Sequence, residues 1–227
     1  MILLAVDSAT AFLSLALDGG DGTGAEFCLK GPGAHAEAVV GAMRSLLGDA
    51  RVRPSQLGAV VAGIGPGSFT GIRVAVAAAK GLAYALGIPA VGVPTLDAMA
   101  AGLPCPEGLV CPILDARRGE VYGAVYQNSP PAPLTGYLNL PLEDFLERLE
   151  AGRPVLFLGD GALRYRQIIQ RRLAGRAQVA PEAFAYPRGL VLARMGRERL
   201  AAGDGGDPLQ LAPLYLRRSE AETRCPQ

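Results

Sequence analysis

The chain has 227 residues, of which 50% are hydrophobic and 6% aromatic, and its formal net charge is +1. This length suits one large domain or two small ones with an aliphatic core, and no apolar run reaches the roughly 18 residues that span a bilayer. The four cysteines, at 28, 105, 111 and 225, form no Cys-x-x-Cys pair. This distribution is typical of a cytoplasmic protein with reduced thiols.

The first half of the chain alternates apolar strands with helices. The opening segment meets Asp7 without a preceding basic residue, which favours a buried strand over a signal peptide. The following elements are assigned from hydrophobic periodicity and from glycine and proline breaks. In chain order we predict strands at 1–7, 12–17 and 25–29, a helix at 35–47, a strand at 59–64, a helix at 71–86, a strand at 90–93 and a short helix from Thr95.

The second half repeats this pattern of strands, a hairpin and helices. A turn-rich stretch at 102–108 is the best candidate boundary, so we place one lobe at 1–103 and the other at 104–227, with the last helix or tail returning to the first lobe. The repetition suggests a duplicated α/β architecture. We predict strands at 109–114 and 120–126, a proline-rich loop at 128–133, a helix at 142–149, a strand at 155–158, helices at 163–173 and 188–202, and a polar tail.

Charge is distributed unevenly between the two parts of the chain. Residues 1–150 contain 9 basic and 14 acidic side chains, a net charge of −5, whereas residues 151–227 contain 13 basic and 7 acidic side chains, a net charge of +6. One interpretation is a set of solvated helix faces rich in arginine. The other is a surface that faces phosphates, such as those of tRNA, or a partner of opposite sign.

The stretch at 63–73, Gly-Ile-Gly-Pro-Gly-Ser-Phe-Thr-Gly-Ile-Arg, is the most informative motif. Gly65, Gly67 and Gly71 allow a tight turn, and Ser68 and Thr70 can cap the helix that follows. A helix start of this kind presents free N–H groups to an anion.

Asp7, with Ser8 and Thr10 behind it, could hold a metal–phosphate group at the end of the first strand. The sequence nevertheless lacks a Gly-Lys-Ser/Thr triplet, and neither Gly-x-Ser-x-Gly nor Gly-x-Gly-x-x-Gly fits across the glycine motif. His35 is the single histidine, so a zinc site built on histidine pairs is excluded. We therefore assign no catalytic residue and no metal ligand.

The helix at 71–86 is apolar nearly all round, and alanines at 75, 78, 79 and 83 allow close helix approach. A helix of this kind must be covered on all sides. Either the helix is central in its own domain and is covered by the rest of that domain, or a partner subunit covers one of its faces.

Several motifs closely resemble the TsaB (YeaZ) family, and the match extends over nearly the whole chain in order. The most specific is Gly65 to Arg73 followed by Ala-Lys-Gly-Leu-Ala at 79–83. The others are Leu-Ala-Val-Asp-Ser-Ala-Thr at 4–10, Gly-Val-Pro-Thr-Leu-Asp-Ala at 92–98, Asp-Ala-Arg-Arg-Gly-Glu-Val-Tyr at 115–122 and Pro-Leu-Tyr-Leu-Arg at 213–217.

The resemblance implies an actin-like, Hsp70-like (ASKHA) α/β fold of two lobes. It also implies a cytoplasmic, non-catalytic subunit for N6-threonylcarbamoyladenosine at position 37 of ANN-decoding tRNAs. In that family the protein binds TsaD, which carries the metal and the transfer chemistry, and the ATPase TsaE joins them. In the catalytic relative two histidines follow the equivalent helix, and the corresponding positions here are Thr95 and Met99. Neither is a typical ligand for such a metal, and protease activity is not expected.

The resemblance also implies that the helices at 35–48 and 71–86 pair with TsaD or with a second copy of the chain, so a homodimer is expected in isolation. ATP or ADP is expected to bind weakly, if at all, at a vestigial or complex-completed site of Asp7, Ser8, Thr10 and the 65–71 turn. The alternative is a small-molecule kinase or ATPase that uses Asp7 and this turn, with Gly159-Asp160-Gly161 as a second phosphate loop. The residues expected at the partner interface are Val39, Met43, Leu46, Ile72, Arg73, Val76, Ala79 and Lys80.

Overall fold

A five-stranded sheet with the order β3-β2-β1-β4-β5 forms the framework of the first lobe. The computed structural model describes residues 1–31, 35–103, 108–127 and 132–217, and only the backbone of residues 35–37. β1 pairs antiparallel with β2 and parallel with β4. The strands are β1 (Ile2–Asp7), β2 (Phe12–Asp18), β3 (Gly24–Lys30), β4 (Leu57–Gly63) and β5 (Ala90–Val93).

Helices cover both faces of this sheet, because alternate strand residues point to opposite sides. Leu4 and Val6 of β1 pack in one core with α1 (His35–Asp49) and α2 (Phe69–Leu86). Leu3 and Ala5 pack in another with α7 (Gly189–Ala201). The chain therefore returns to the first lobe after it has built the second.

The second lobe is a mixed sheet whose main path is β10-β7-β6-β11-β12. Its central pair, β6 and β11, is parallel. The strands are β6 (Leu109–Arg117), β7 (Glu120–Gly123), β8 (Tyr126–Gln127), β9 (Ala132–Pro133), β10 (Leu138–Pro141), β11 (Val155–Leu158) and β12 (Ala177–Val179). The helices are α4 (Leu142–Glu147), α5 (Asp160–Arg164) and α6 (Arg166–Arg172), and 3-10 turns lie at Pro54–Gln56, Glu182–Phe184 and Pro208–Gln210.

The predicted strands and helices are confirmed in kind and order, with local differences. The strand predicted at 120–126 is two strands, β7 and β8, which are separated at 124–125, and the last two residues of the loop predicted at 128–133 form β9. The helix predicted at 163–173 is two short helices, because the backbone leaves helical geometry at Tyr165 (φ −102°, ψ 16°). The short strands β9, β10 and β12 were missed. The predicted boundary between the lobes, after residue 103, borders residues 104–107, which lie outside the described residues, so this boundary stays a prediction. Cys105 and Cys225 also lie outside the described residues.

The two lobes meet along α3 (Thr95–Ala101), which packs against β6 and β8 in a shared apolar cluster. Asp97 of α3 accepts hydrogen bonds from the hydroxyls of Tyr126, at 2.6 Å, and Tyr137, at 2.9 Å. Arg199 of α7 lies 3.9 Å from the same carboxylate. Asp97 thus joins the second lobe to two helices of the first.

The uneven charge of the chain is balanced largely within the chain. Arginines of the second part form ion pairs with acidic residues of the first. Each exposed pair contributes only about 0–1 kcal/mol, so their main effect is to neutralise charge. Among the described residues these pairs are Arg153–Glu150, Arg164–Asp115, Arg172–Glu143, Arg172–Glu147, Arg188–Glu26, Arg197–Asp18, Arg199–Asp97 and Arg217–Glu120.

Candidate functional site: the glycine turn and the face of α1 and α2

Asp7 is fully buried at the end of β1, and both of its carboxylate oxygens are occupied by donors of its own chain. Oδ1 accepts from the Ala9 N–H at 2.9 Å, and Oδ2 accepts from the Thr95 hydroxyl at 2.7 Å. Burial raises the pKa of Asp7 to about 6, although these two hydrogen bonds act in the opposite direction. A Cβ at Gly63 would lie 1.7 Å from Oδ2, so glycine is required beside the carboxylate.

The glycine turn packs directly against the turn between β1 and β2. The Ser68 N–H donates to the Ala9 carbonyl at 2.7 Å, and the Ser8 hydroxyl donates to the Gly71 carbonyl at 2.7 Å. A Cβ at Gly67 would lie 2.3 Å from the Ala9 carbonyl oxygen, and one at Gly71 only 1.8 Å from that of Ser8. The glycines therefore serve the close approach of two backbone segments.

The structure brings most of the predicted anion-site residues into one cluster, but most of their side-chain polar groups are hydrogen-bonded within the chain. Ser68 caps α2 by accepting from the Gly71 N–H at 3.3 Å. Thr10 accepts from the Phe12 N–H at 3.2 Å in its own turn. Thr70 is exposed in the first turn of α2.

Thr95 is the member of this cluster that the site prediction missed. Its hydroxyl accepts from the Gly65 N–H at 3.2 Å while it donates to Asp7, and its N–H donates to the Gly65 carbonyl at 2.8 Å. The Pro-Thr-Leu-Asp motif was its only signal in the sequence. Among the described residues no group of three or more His, Cys, Asp or Glu side chains could hold a metal ion.

The second predicted phosphate loop, at Gly159-Asp160-Gly161, is also packed against its own lobe. Asp160 accepts from the Asp115 N–H at 3.0 Å, and burial raises its pKa. A Cβ at Gly159 would lie 2.1 Å from the Ile113 carbonyl oxygen and 3.2 Å from Cε of Met99. This loop is thus held against β6, beside the buried side chain of Met99.

Six of the eight residues predicted at the partner interface lie in the core of the first lobe. They face the sheet or the neighbouring helix, so they are core residues of the isolated chain, and their place at or beside a partner interface stays a prediction. The periodic apolar residues of α1 and α2 are those that face the core of the first lobe. The six are Val39, Met43, Leu46, Ile72, Val76 and Ala79, each between 0% and 6% exposed.

The outward face of α1 and α2 combines small side chains and two arginines with two large apolar side chains. Val40 is 59% exposed and Tyr84 is 68% exposed. A Cβ added at Gly81 would meet nothing within 4 Å. We call this surface the α1–α2 face; its exposed members are Val40, Gly41, Arg44, Ser45 and Gly48 of α1 and Arg73, Ala77, Gly81, Tyr84 and Ala85 of α2.

The two charged residues predicted at the interface are placed differently from the six apolar ones. Arg73 is exposed, whereas Lys80 is half-buried and donates from Nζ to the Leu209 carbonyl at 2.9 Å. Among the described helices α2 alone is long and apolar enough to cross a membrane, a criterion that core helices also meet.

Comparison with known proteins identifies relatives over the full length. A family model described as TsaD, tRNA N6-adenosine threonylcarbamoyltransferase, matches residues 32–225. The tRNA threonylcarbamoyladenosine biosynthesis protein TsaB of Bacillus subtilis is 38% identical over 227 residues, which is 99% of this chain and 97% of that protein. The TsaB protein of Escherichia coli is 38% identical over 131 residues, or 56% of this chain and 55% of that protein.

Solved structures agree with the fold. YeaZ from Pseudomonas aeruginosa superposes with a TM-score of 0.79 at 29% identity, covering 95% of this chain and 99% of that one. Component A of (R)-2-hydroxyglutaryl-CoA dehydratase from Acidaminococcus fermentans superposes with a TM-score of 0.56 at 11% identity, covering 88% of this chain and 99% of that one. The second likeness concerns the fold alone, and the predicted actin-like α/β class is confirmed.

Proposed function

Because the chain belongs to the TsaB (YeaZ) family, we propose that it is a non-catalytic subunit that binds TsaD in tRNA threonylcarbamoyladenosine biosynthesis. Two curated relatives, from Bacillus subtilis and Escherichia coli, are named for this biosynthesis, which supports a role in it for this chain. The modified nucleoside is N6-threonylcarbamoyladenosine at position 37 of ANN-decoding tRNAs, made in the cytoplasm. TsaE joins the pair.

The observation that carries the proposal is the α1–α2 face. It exposes Tyr84 with Gly81 and Ala77 on α2, and Val40 on α1, and the two helices pack against each other. Small residues let a partner helix approach closely, and large exposed apolar residues become anchors when a partner buries them. This pattern supports a helix-packing contact with TsaD, and with a second copy of the chain when TsaD is absent.

The non-catalytic part of the proposal is supported by the glycine turn. Polar groups of Asp7, Ser8 and Ser68 form hydrogen bonds within the chain. A nucleophile or base must instead reach a substrate proton or reacting atom. In this proposal the turn positions α2, and the transfer chemistry belongs to TsaD.

Direct contact with tRNA is a further part of the proposal. The ion pairs within the chain reduce the number of arginines that are available to bind phosphates. Many arginines of the second part already neutralise acidic residues of the first. Binding to tRNA would therefore be expected mainly in the complex, with a weak salt dependence for the isolated chain.

Reconstitution tests the proposal. TsaD, TsaE, a threonylcarbamoyl-AMP synthase, ATP and an ANN-decoding tRNA are incubated with and without this chain, and the modified nucleoside is measured by mass spectrometry. We expect formation of the nucleoside to depend on the chain, and a direct complex with TsaD in size-exclusion chromatography. Equal formation without the chain would refute the proposed role.

The kinase or ATPase alternative remains a prediction from the sequence. Titration calorimetry of Mg·ATP into the isolated chain distinguishes it from the subunit role. Because the groups around Asp7 are already hydrogen-bonded, we expect no tight binding. Micromolar, magnesium-dependent binding that Asp7→Ala abolishes would favour the kinase.

A further inference from the structure

Arg73 is held in a fixed position at the start of α2 by two aromatic residues. Its guanidinium carbon lies 3.9 Å from the centre of the Phe69 ring, and its Nε donates to the Tyr215 hydroxyl at 2.9 Å. The rings of Phe69 and Tyr215 are themselves in contact, with centroids 4.9 Å apart. We call these three residues the Arg73 stack.

The segment that supplies Tyr215 is fastened along α2 and the glycine turn. The Leu214 N–H donates to the Ile64 carbonyl at 2.8 Å, and Leu211 is buried in the core of the first lobe. These contacts fix the Tyr215 hydroxyl relative to α2. Two motifs that are far apart in the sequence, at 65–73 and 213–217, therefore meet at Arg73.

The positive charge of Arg73 is not matched by a carboxylate within the part of the chain that the structure describes. Its contacts there are a phenol and two rings. This contrasts with Arg188 and Arg197, which pair with Glu26 and Asp18. Nε is occupied, so the two terminal nitrogens form the outward edge that remains available for an acceptor.

Arg73 continues the α1–α2 face. On α2 the exposed positions 73, 77, 81 and 84 are separated by four, four and three residues, which places them along one side of the helix. Apart from Arg73 this row contains Ala77, Gly81 and Tyr84. A protein helix could thus lie along the row with an acidic residue at the Arg73 end.

We infer that Arg73 is a docking residue that binds a carboxylate of the TsaD subunit when that subunit covers the α1–α2 face. The inference rests on the proposed function. The guanidinium fork matches a carboxylate in a bidentate pair, and fixing the side chain beforehand reduces the entropy lost on binding. A protein carboxylate is favoured over an RNA phosphate because the rest of the row on α2 is uncharged, whereas protein surfaces that bind RNA combine several basic groups.

The test measures the dissociation constant of the complex with the TsaD protein of the same organism by calorimetry. Arg73→Gln should raise it about 30-fold or more, because one partner of a desolvated pair is then unpaired. Arg73→Lys should raise it less, and Tyr215→Phe about 3- to 10-fold through lost orientation. Arg194→Gln, exposed on α7, is the matched control and should change it less than 2-fold.

Salt separates an ion pair from a change in structure. The affinity of the wild-type chain should fall more steeply with NaCl than that of Arg73→Gln. All variants should unfold at nearly the wild-type temperature. If the wild-type chain binds TsaD and Arg73→Gln binds it equally well, the inference is wrong while the proposed function stands; if the wild-type chain does not bind TsaD, the proposed function itself fails.

Two further outcomes would overturn the inference. Glu220 and Glu222 belong to the last ten residues, which lie outside the described residues. If Arg73→Gln weakens TsaD binding in the full chain but has no effect in a chain that ends at Arg217, the carboxylate comes from the chain itself. If Arg73→Gln weakens the binding of tRNA alone and leaves TsaD binding unchanged, the acceptor is a phosphate.

Discussion

Replacing Gly81 by leucine should stabilise the chain and at the same time weaken its complex with TsaD. Gly81 is exposed in α2, and an added Cβ would meet nothing within 4 Å. The isolated chain therefore has room for a larger side chain at this position. A partner helix packed on the α1–α2 face would not have that room.

The two effects can be estimated separately. Glycine inside a helix costs about 0.5–1 kcal/mol relative to alanine, and leucine is nearly as good a helix former. For a chain of this length, a gain of this size raises the melting temperature by about 1–4 °C. Overpacking a closely fitted contact costs about 1–3 kcal/mol, which corresponds to a dissociation constant roughly 5- to 150-fold higher.

The assay compares thermal unfolding with affinity for TsaD in four proteins: wild type, Gly81→Ala, Gly81→Leu and Arg194→Leu. Gly81→Ala should gain stability and lose little affinity. Arg194→Leu changes an exposed position on α7, on the opposite face of the sheet, and should leave affinity unchanged. If Gly81→Leu is stabilised but binds TsaD as tightly as the wild type does, Gly81 does not lie in the contact. If it is destabilised, our description of the free helix surface is wrong.

Three further predictions concern stability. The raised pKa of Asp7, about 6 in the folded chain against an ordinary 3.8, means that the native state binds more protons between these values, so the free energy of unfolding falls as pH rises through this window. Asp7→Asn should therefore be more stable than the wild type at pH 7.5 by on the order of 2 kcal/mol and show a flatter pH profile in urea denaturation; a wild-type profile that rises from pH 4 to 6 would contradict this. Tyr126→Phe removes a hydrogen bond to the Asp97 carboxylate and should lower the free energy of unfolding by about 2 kcal/mol; an unchanged denaturation midpoint would refute a role for this contact in joining the lobes. Val76→Asp places a charge in the core and should destabilise the chain by about 4 kcal/mol or more, so circular dichroism should show loss of folded protein; a folded variant would contradict the placement of Val76.

The elements of the first lobe could be predicted because their local signals agree with the fold. Its inner strands are nearly continuous apolar runs, as expected for strands covered on both faces. α2 has serine at its start and a left-handed glycine, Gly87 (φ 64°), at its end. The short strands β9, β10 and β12 have two, four and three residues, too few for a pattern of period two.

The outward face of α1 and α2 could not be predicted from the same pattern. In a helix that is apolar nearly all round, periodicity does not distinguish the side facing the sheet from the side facing a partner. The choice of Val39, Met43 and Val76 selected the inner side. Two features mark the outer side: Gly81, a poor helix former within the helix, and the exposed Tyr84. The sides can be distinguished only when the positions of the helices on the sheet are known.

The glycine motif shows why a sequence pattern can predict a turn and still leave its chemistry open. A phosphate site and a contact between two backbones both require glycine, because in each case something approaches closer than a Cβ permits. What distinguishes them is where the freed polar groups point. Here Ser8 and the Ser68 N–H bind across to the opposite turn, and Asp7 is bound by Thr95, which is 88 residues away in sequence. That distant partner engages the buried carboxylate that the sequence offers as a holder of a metal–phosphate group, which favours a contact between backbones as the reason for the glycines. In the proposed function the glycine turn acts through α2, the helix that it begins and that carries Arg73 at the edge of the α1–α2 face.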